Sequence, residues 1–154
     1  MKVRGLVLLL TVLNSCATPS TDENILERSK SDTPGWLKLP LNQFVKNDKR
    51  MQIYSFTDNE PDLPLGLKKA QTSALEIASK ALTQKVEQDS KVNISAQKKA
   101  ELTKNIFQKF LKIDDIYYEK MRSKTVTVTQ TDSVYRISTL LGIDIKDYEA
   151  ELTK

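Results

Sequence analysis

The stretch Met51-Gln52-Ile53-Tyr54-Ser55-Phe56-Thr57 puts Ile53 and Ser55 on one side of an extended chain and the aromatic pair Tyr54 and Phe56 on the other. A period of two with aromatics, which suit a pleated surface, predicts a β-strand. Asp58-Asn59-Glu60-Pro61-Asp62 and Pro64 then predict a loop, with no regular structure before Leu65. Beyond it the period changes. Leu67, Ala70, Ala74, Leu75, Ala78, Leu82 and Val86 recur three and four apart, the stripe of a helix of about five turns. Lys68, Lys69, Gln71, Glu76, Lys80 and Lys85 lie mostly off that stripe. The alanines carry the tertiary message, because small side chains on the buried face let a helix lie close against a sheet. A strand followed by an alanine-striped helix points to an α+β fold.

Working outward, Ser95 is placed to cap a second helix reaching about Lys112, with Ala100, Ile106, Phe107, Phe110 and Leu111 inward. Between the helices the chain is polar, and Val86, Gln88, Ser90 and Val92 can also be read as a short strand; both readings stay open. Past Ile113 the period returns to two. Ile116 and Tyr118, then Val126 and Val128, alternate with charged or threonine partners, and Gln130-Thr131-Asp132-Ser133 reads as a turn. Residues 134–145 predict a further strand with Tyr135, Ile137, Leu141, Ile143 and Ile145 largely on one side. A terminal helix follows through Tyr148 and Leu152. Upstream, folding is expected to begin at Pro34-Gly35-Trp36, with Trp36, Leu37, Leu39, Leu41, Phe44 and Val45 forming an irregular lid over one edge of the core. The expected architecture is a small antiparallel sheet packed by two main helices.

Composition removes whole classes of chemistry. There is no histidine and only one cysteine, so a Ser-His-Asp or Cys-His triad, a His-ligated zinc and an HExxH helix are excluded. The four glycines are isolated, so no glycine-rich phosphate loop exists and no cofactor is expected. Lysines and acids are interspersed, which describes a solvated surface and no nucleic-acid partner.

The one cysteine, Cys16, closes Leu13-Asn14-Ser15-Cys16, behind an apolar run at residues 6–13 that opens with Lys2 and Arg4. Eight residues make roughly 12 Å of helix against a hydrocarbon core of about 30 Å, so the run reads as an export leader and not as a span. The arrangement resembles a bacterial lipoprotein signal. That resemblance implies that Leu13 and Ser15 fill the peptidase pocket and that cleavage follows Ser15. It further implies that Cys16 sulfur takes a diacylglycerol and that the new amine takes an acyl chain such as palmitate. Two or more chains anchor a protein stably where one does not. With residues 1–15 removed, the basic side chains fall from 24 to 22 against 20 acids, so the high isoelectric point is partly a property of the leader. Residues 16–33 are Ser, Thr, Pro, Asp, Glu, Asn and Lys with Ile25 and Leu26 alone as large apolar groups, and they predict a lipidated flexible tether. A coil from residue 17 to 34 would average roughly 23 Å and stretch to about 60 Å. Residues 34–154 are then one domain. The residue after Cys16 is Ala17 and not an inner-membrane-retaining aspartate, which favours the outer membrane.

At the level of layout, Pro34-Gly35-Trp36, Ile53-Tyr54-Ser55-Phe56, the run from Gly66-Leu67-Lys68-Lys69-Ala70 through Ala74, Ala78, Ala81 and Leu82, and Val134-Tyr135-Arg136-Ile137 resemble the LPP20-like family of bacterial lipoproteins, a group that includes flagellum-associated outer-membrane proteins. The resemblance implies an envelope binding or assembly domain, possessing no catalytic residues to carry over.

The leading expectation is therefore a non-enzymatic envelope lipoprotein, tied to the bilayer through acylated Cys16 and contacting an envelope protein or the cell wall. Trp36, Phe44 and Tyr54 are the first partner-binding candidates, with the edge of the sheet as a template for strand addition. Residues 125–131 are read either as that edge or as a central hairpin arm. An inhibitor or entry-exclusion lipoprotein is an alternative. A carboxylate-based hydrolase would draw on Asp58, Glu60, Asp62, Asp114 and Asp115, which are otherwise read as turn and cap acids. The alternate spacing of Asp58, Glu60 and Asp62 also suggests a calcium loop. Leu63 at the sixth position and Lys69 at the twelfth exclude an EF-hand, however, and no metal is expected.

Overall fold

The computed structural model describes residues 25–90, 94–122 and 133–153. Its elements run β1 (Ile25–Arg28), a 3-10 turn (Gly35–Lys38), β2 (Val45–Lys46), β3 (Arg50–Glu60), α1 (Leu63–Asp89), α2 (Ala96–Phe110), β4 (Lys112–Arg122), β5 (Ser133–Asp144) and α3 (Ile145–Leu152). The five strands form one antiparallel sheet in the order β1-β4-β5-β3-β2. This is the expected α+β class.

The register explains the faces. Met51, Ile53, Ser55 and Thr57 stand opposite Ile143, Leu141, Thr139 and Ile137, so these eight residues share one side of the sheet. On that side α1 buries Gly66, Ala70, Ala74, Ala78, Leu82 and Val86. A four-residue spacing drifts about 40° per step around a helix, so the stripe winds across the sheet. Ala74 and Ala78 lie over Ile53 and Leu141. Leu82 and Val86 overhang the sheet's end and close a second cluster with Met51, Ile106, Ile143, Ile145 and Tyr148. The long side chains therefore come where the helix must reach α2 and α3, and the small ones where it lies on strands.

Five sequence expectations are corrected. The loop before α1 is almost absent: β3 runs to Glu60 and the helix opens at Leu63. Pro64 is accepted there because the first helical turn has no intrahelical N–H partner to lose, and Asp62 caps it, its carboxylate accepting from Leu65 N at 2.8 Å. The chain between the helices is helical to Asp89, which rules out a strand through Val86 and Gln88, while Val92 lies outside the described residues. Ala100 is exposed; Thr103 and Ile106 are the buried positions of α2, which Ser95 caps as expected through Lys98 N at 3.3 Å. In β4 the best-buried side chain is Tyr117 at 2% exposure, not Ile116 or Tyr118, because both faces of this interior strand are covered.

The fifth correction concerns the tether. Residues ahead of Pro34 already belong to the sheet: β1 pairs with the end of β4, Ile25 opposite Met121 and Arg28 opposite Glu119. Ser29 N donates to Tyr118 O at 2.9 Å, and Ser29 Oγ accepts from Tyr118 N at 2.9 Å. A polar residue joined to a strand edge by such paired bonds needs no apolar burial, and a composition-based reading cannot see it. The N-terminal part of the domain is thus a strap on the side of the sheet away from the helices. Among the described residues no helix is long and apolar enough to cross a membrane. Leu13, Ser15, Cys16 and the segment 125–131 lie outside the described residues.

Candidate partner-binding surface

The side of the sheet away from the helices is built from the alternate residues: Gln52, Tyr54, Phe56 and Asp58 of β3, with Gly142, Leu140, Ser138 and Arg136 facing them across β5. Tyr117 and Glu119 continue it on β4. The strap crosses this side. The 3-10 turn forms because Pro34, held extended, accepts from Leu37 N at 3.1 Å, and Leu39 N closes on Trp36 O at 3.0 Å. That turn aims Trp36 at the sheet. Its Nε1 donates to Asp115 Oδ2 at 2.9 Å, and its ring meets Tyr54 at 5.9 Å between centroids and 60° between planes. Further along, Leu41 bridges to Tyr54, and Asn42, at a φ of 58°, donates its N–H to Tyr54 O at 2.9 Å. An asparagine tolerates that left-handed backbone better than most residues.

Asp115 is the fastening point. Besides Trp36 it accepts both of its oxygens' bonds from Lys30 Nζ, at 2.5 and 2.6 Å, and Oδ1 accepts from Ile116 N at 2.9 Å. Burial works to raise its pKa. The hydrogen bonds from Lys30 and Trp36, with the Lys30 charge and the Ile116 N–H, outweigh burial and hold the carboxyl below its ordinary range. Beneath the strap Tyr117 donates to Glu119 Oε1 at 2.9 Å; burial, then Glu119, push its phenol above its ordinary value. What the strap leaves open is Phe56, 42% exposed, with the Arg136 guanidinium 5.7 Å from its ring centre and bonded to Asp58 at 2.9 Å. Trp36, Tyr54, Phe56 and Arg136 make a continuous aromatic and cationic strip of the kind enriched in protein interfaces.

Of the three contact residues named from the sequence, Trp36 and Tyr54 come together here. Phe44 does not: it packs against both core clusters on the helix side of the sheet. Sequence reasoning gave Lys30 no role, and named Asp115 only among candidate acids and Arg136 only within the layout resemblance. The pair Asp114-Asp115 suggested a turn, and only the pairing of β4 with β5 shows the strand running through it.

The five acids considered for hydrolysis fall into two groups toward opposite ends of the sheet, and each is partnered. Asp58 holds Arg136, Glu60 holds Lys69 at 2.9 Å, Asp62 caps α1, Asp114 holds Arg50, and Asp115 holds Lys30. Asp58 stands beside Arg136 and Asp114 beside Gly142; six residues of strand separate those points by roughly 20 Å, well beyond the spacing of a glycosidase pair. The Asp114 bond comes first in raising the Arg50 guanidinium above its ordinary value. Among the described residues no group of acidic or cysteine side chains could hold a metal ion.

A separate cleft of about 1180 Å³ lies where α1 ends and α2 and α3 begin, lined among others by Lys46, Lys85, Asp89, Tyr148 and Glu149. Several of its polar groups pair with one another: Lys85 bonds Asp89 at 2.8 Å, Lys46 bonds Glu149 at 2.6 Å, and Tyr148 donates to Asp89 at 3.0 Å. Burial, then the Asp89 charge, push the Tyr148 phenol far above its ordinary value.

Among the described residues the edges of the sheet are β1 and the two-residue β2. Beyond Tyr54 the outer side of β3 has no strand partner among the described residues. A bulge between Thr57 and Glu60, with Asn59 at a φ of 61°, interrupts it at once. Bulges and charges of this sort blunt an edge against strand addition. The strip of side chains is therefore the better contact surface than the backbone edge. Comparison with protein families, with curated proteins and with solved structures finds no match to this chain.

Proposed function

We propose that this chain is a lipid-anchored bacterial envelope protein whose α+β domain binds another envelope component and performs no chemistry of its own. The observation that carries the reading is Cys16, the sole cysteine, at the end of a basic and then apolar leader. The layout resemblance to LPP20-like lipoproteins supports it. So does the strap, which joins the segment leading from Cys16 directly to the surface that carries Trp36, Tyr54 and Phe56. In this reading the strip made by Tyr54, Phe56 and Arg136 meets the partner, and Asp115 keeps Trp36 seated beside it.

The anchor is tested by growing cells with labelled palmitate. The native chain should take up label and fractionate with the outer membrane, and Cys16→Ser should lose both; label-free, fully retained native protein would sink the proposal. The partner is tested by placing a photocrosslinking residue at Phe56 in intact cells. One dominant adduct is expected. A structural component in that adduct assigns assembly, whereas an enzyme that loses turnover in the complex assigns inhibition.

A further inference from the structure

The topology gives the sheet two ends of different character. At one end lie the start of β1, where Ile25 faces Met121, the end of β4, where Arg122 faces Ser133, the end of β3 at Glu60, and the first turn of α1. The other end, roughly 33 Å away along β3, carries Lys112 and the helical cleft. The chain arriving from Cys16 enters at the first end. Nine residue steps separate Ile25, the first described residue, from Cys16. Nine steps can reach at most about 30 Å.

Among the described residues the two most exposed large apolar side chains are both at this entry end: Leu65 at 50% and Leu26 at 49%. Leu26 is the extra residue of the β1 irregularity, Leu65 sits on the first turn of α1, and neither covers a core. Arg122 and Lys68 are exposed beside them. Among the described residues the neighbouring acids are mostly engaged, Asp58 on Arg136, Glu60 on Lys69, and Asp62 on the helix N-terminus, leaving Glu27 as the exposed carboxylate.

We infer that the entry end of the sheet rests on the bilayer, Leu26 and Leu65 entering the headgroup layer and Arg122 and Lys68 meeting lipid phosphates. This rests on the lipid-anchor reading. A tether of that length holds the end at an effective concentration of about millimolar, so individually weak apolar and cationic contacts are enough to orient the domain. The consequence is a fixed polarity, with the cleft and the far end of the Trp36 strip directed away from the membrane.

Single labels decide it, because the acylated Cys16 leaves an introduced cysteine unique. The full chain carrying Leu26→Cys, Leu65→Cys, Glu101→Cys or Lys112→Cys is purified from the membrane, its mass recorded, and the labelled protein placed in vesicles of phosphatidylethanolamine and phosphatidylglycerol containing a headgroup-level spin-labelled lipid. Labels at 26 and 65 should lose most of their fluorescence and labels at 101 and 112 almost none. Even quenching at both ends, with a mass that includes lipid, would overturn the orientation and leave the anchor standing. A mass without lipid would overturn both.

Discussion

Gly66→Ala sets two opposing effects against each other, and the structure decides between them. In an ordinary helix the change gains up to about 1 kcal/mol, since glycine is the poorer helix former. Here a Cβ at residue 66 would stand 2.7 Å from Ile137 Cδ1 and 2.9 Å from Glu60 Cβ. Both are about 1 Å inside a comfortable carbon contact. The Ile137 methyl is the end of a side chain, yet Ile137 is fully buried and has little room to turn. Glu60 Cβ is one bond from the strand backbone, so relieving that contact means moving α1 away from the end of β3. Overpacking of this kind costs about 1–3 kcal/mol, and the net expectation is a loss of about 1 kcal/mol. Ala70→Gly, one turn along the same face at 2% exposure, is the control: it loses helix propensity and a buried methyl together, for about 2 kcal/mol. Urea denaturation followed by circular dichroism and by Trp36 fluorescence reads both. With m near 2 kcal/mol/M, Gly66→Ala should lower the midpoint by about 0.5 M and Ala70→Gly by about 1 M. A Gly66→Ala protein more stable than the parent, beside a destabilised Ala70→Gly, would refute the close approach of α1 to the sheet.

Asp115→Asn should loosen the strap, shifting Trp36 emission and exposing the 25–41 segment to added protease while the rest of the domain stays folded. In the parent, the lowered pKa of Asp115 means that its contribution is complete above its unfolded value of about 3.9 and is lost as pH falls through the folded value. An acid transition of Trp36 fluorescence below about pH 4, absent in Asp115→Asn, is the expected signature; the same transition in both proteins would assign it elsewhere. Tyr148→Phe removes the bond to Asp89 and should cost about 1 kcal/mol at neutral pH. The raised Tyr148 pKa favours the neutral phenol in the fold, so this contribution persists below the unfolded value of about 10 and is lost at higher pH. The Phe variant should therefore be less sensitive than the parent to alkaline unfolding monitored by circular dichroism. An equally steep alkaline limb would count against the Tyr148 assignment.

The fold class was legible because two periods were written plainly, two at Met51 to Thr57 and near 3.6 from Ala70 to Val86. The periodic alanines even announced a helix lying on a sheet. Boundaries were less legible. Pro61 and Pro64 suggested a long break, but proline harms a helix only where an N–H is needed, and an N-capped first turn needs none. The strap was invisible for a different reason: Ser29 and Lys30 act through backbone pairing and a single carboxylate, not through apolar pattern. Of the contact surface, Trp36 and Tyr54 stood out as aromatics. Phe44 looked the same in sequence, and only its place over Ile53 and Met51 on the other side of the sheet separates it from them.

The sequence by itself determined that this is an α+β chain without imidazole or a glycine-rich phosphate loop, and it placed the sole cysteine, Cys16, behind a basic and then apolar run ahead of the domain. Those are properties of composition, period and local order, which need no neighbour in space. The tertiary structure decided that residues 25–28 belong to the sheet, that Asp115 gathers Lys30 and Trp36 from some eighty residues upstream, and that β1, Leu26 and Leu65 share one end of the sheet. Each of these depends on which strands are neighbours and in what register. An antiparallel register is set by the summed burial of two whole faces, not by any residue's own identity.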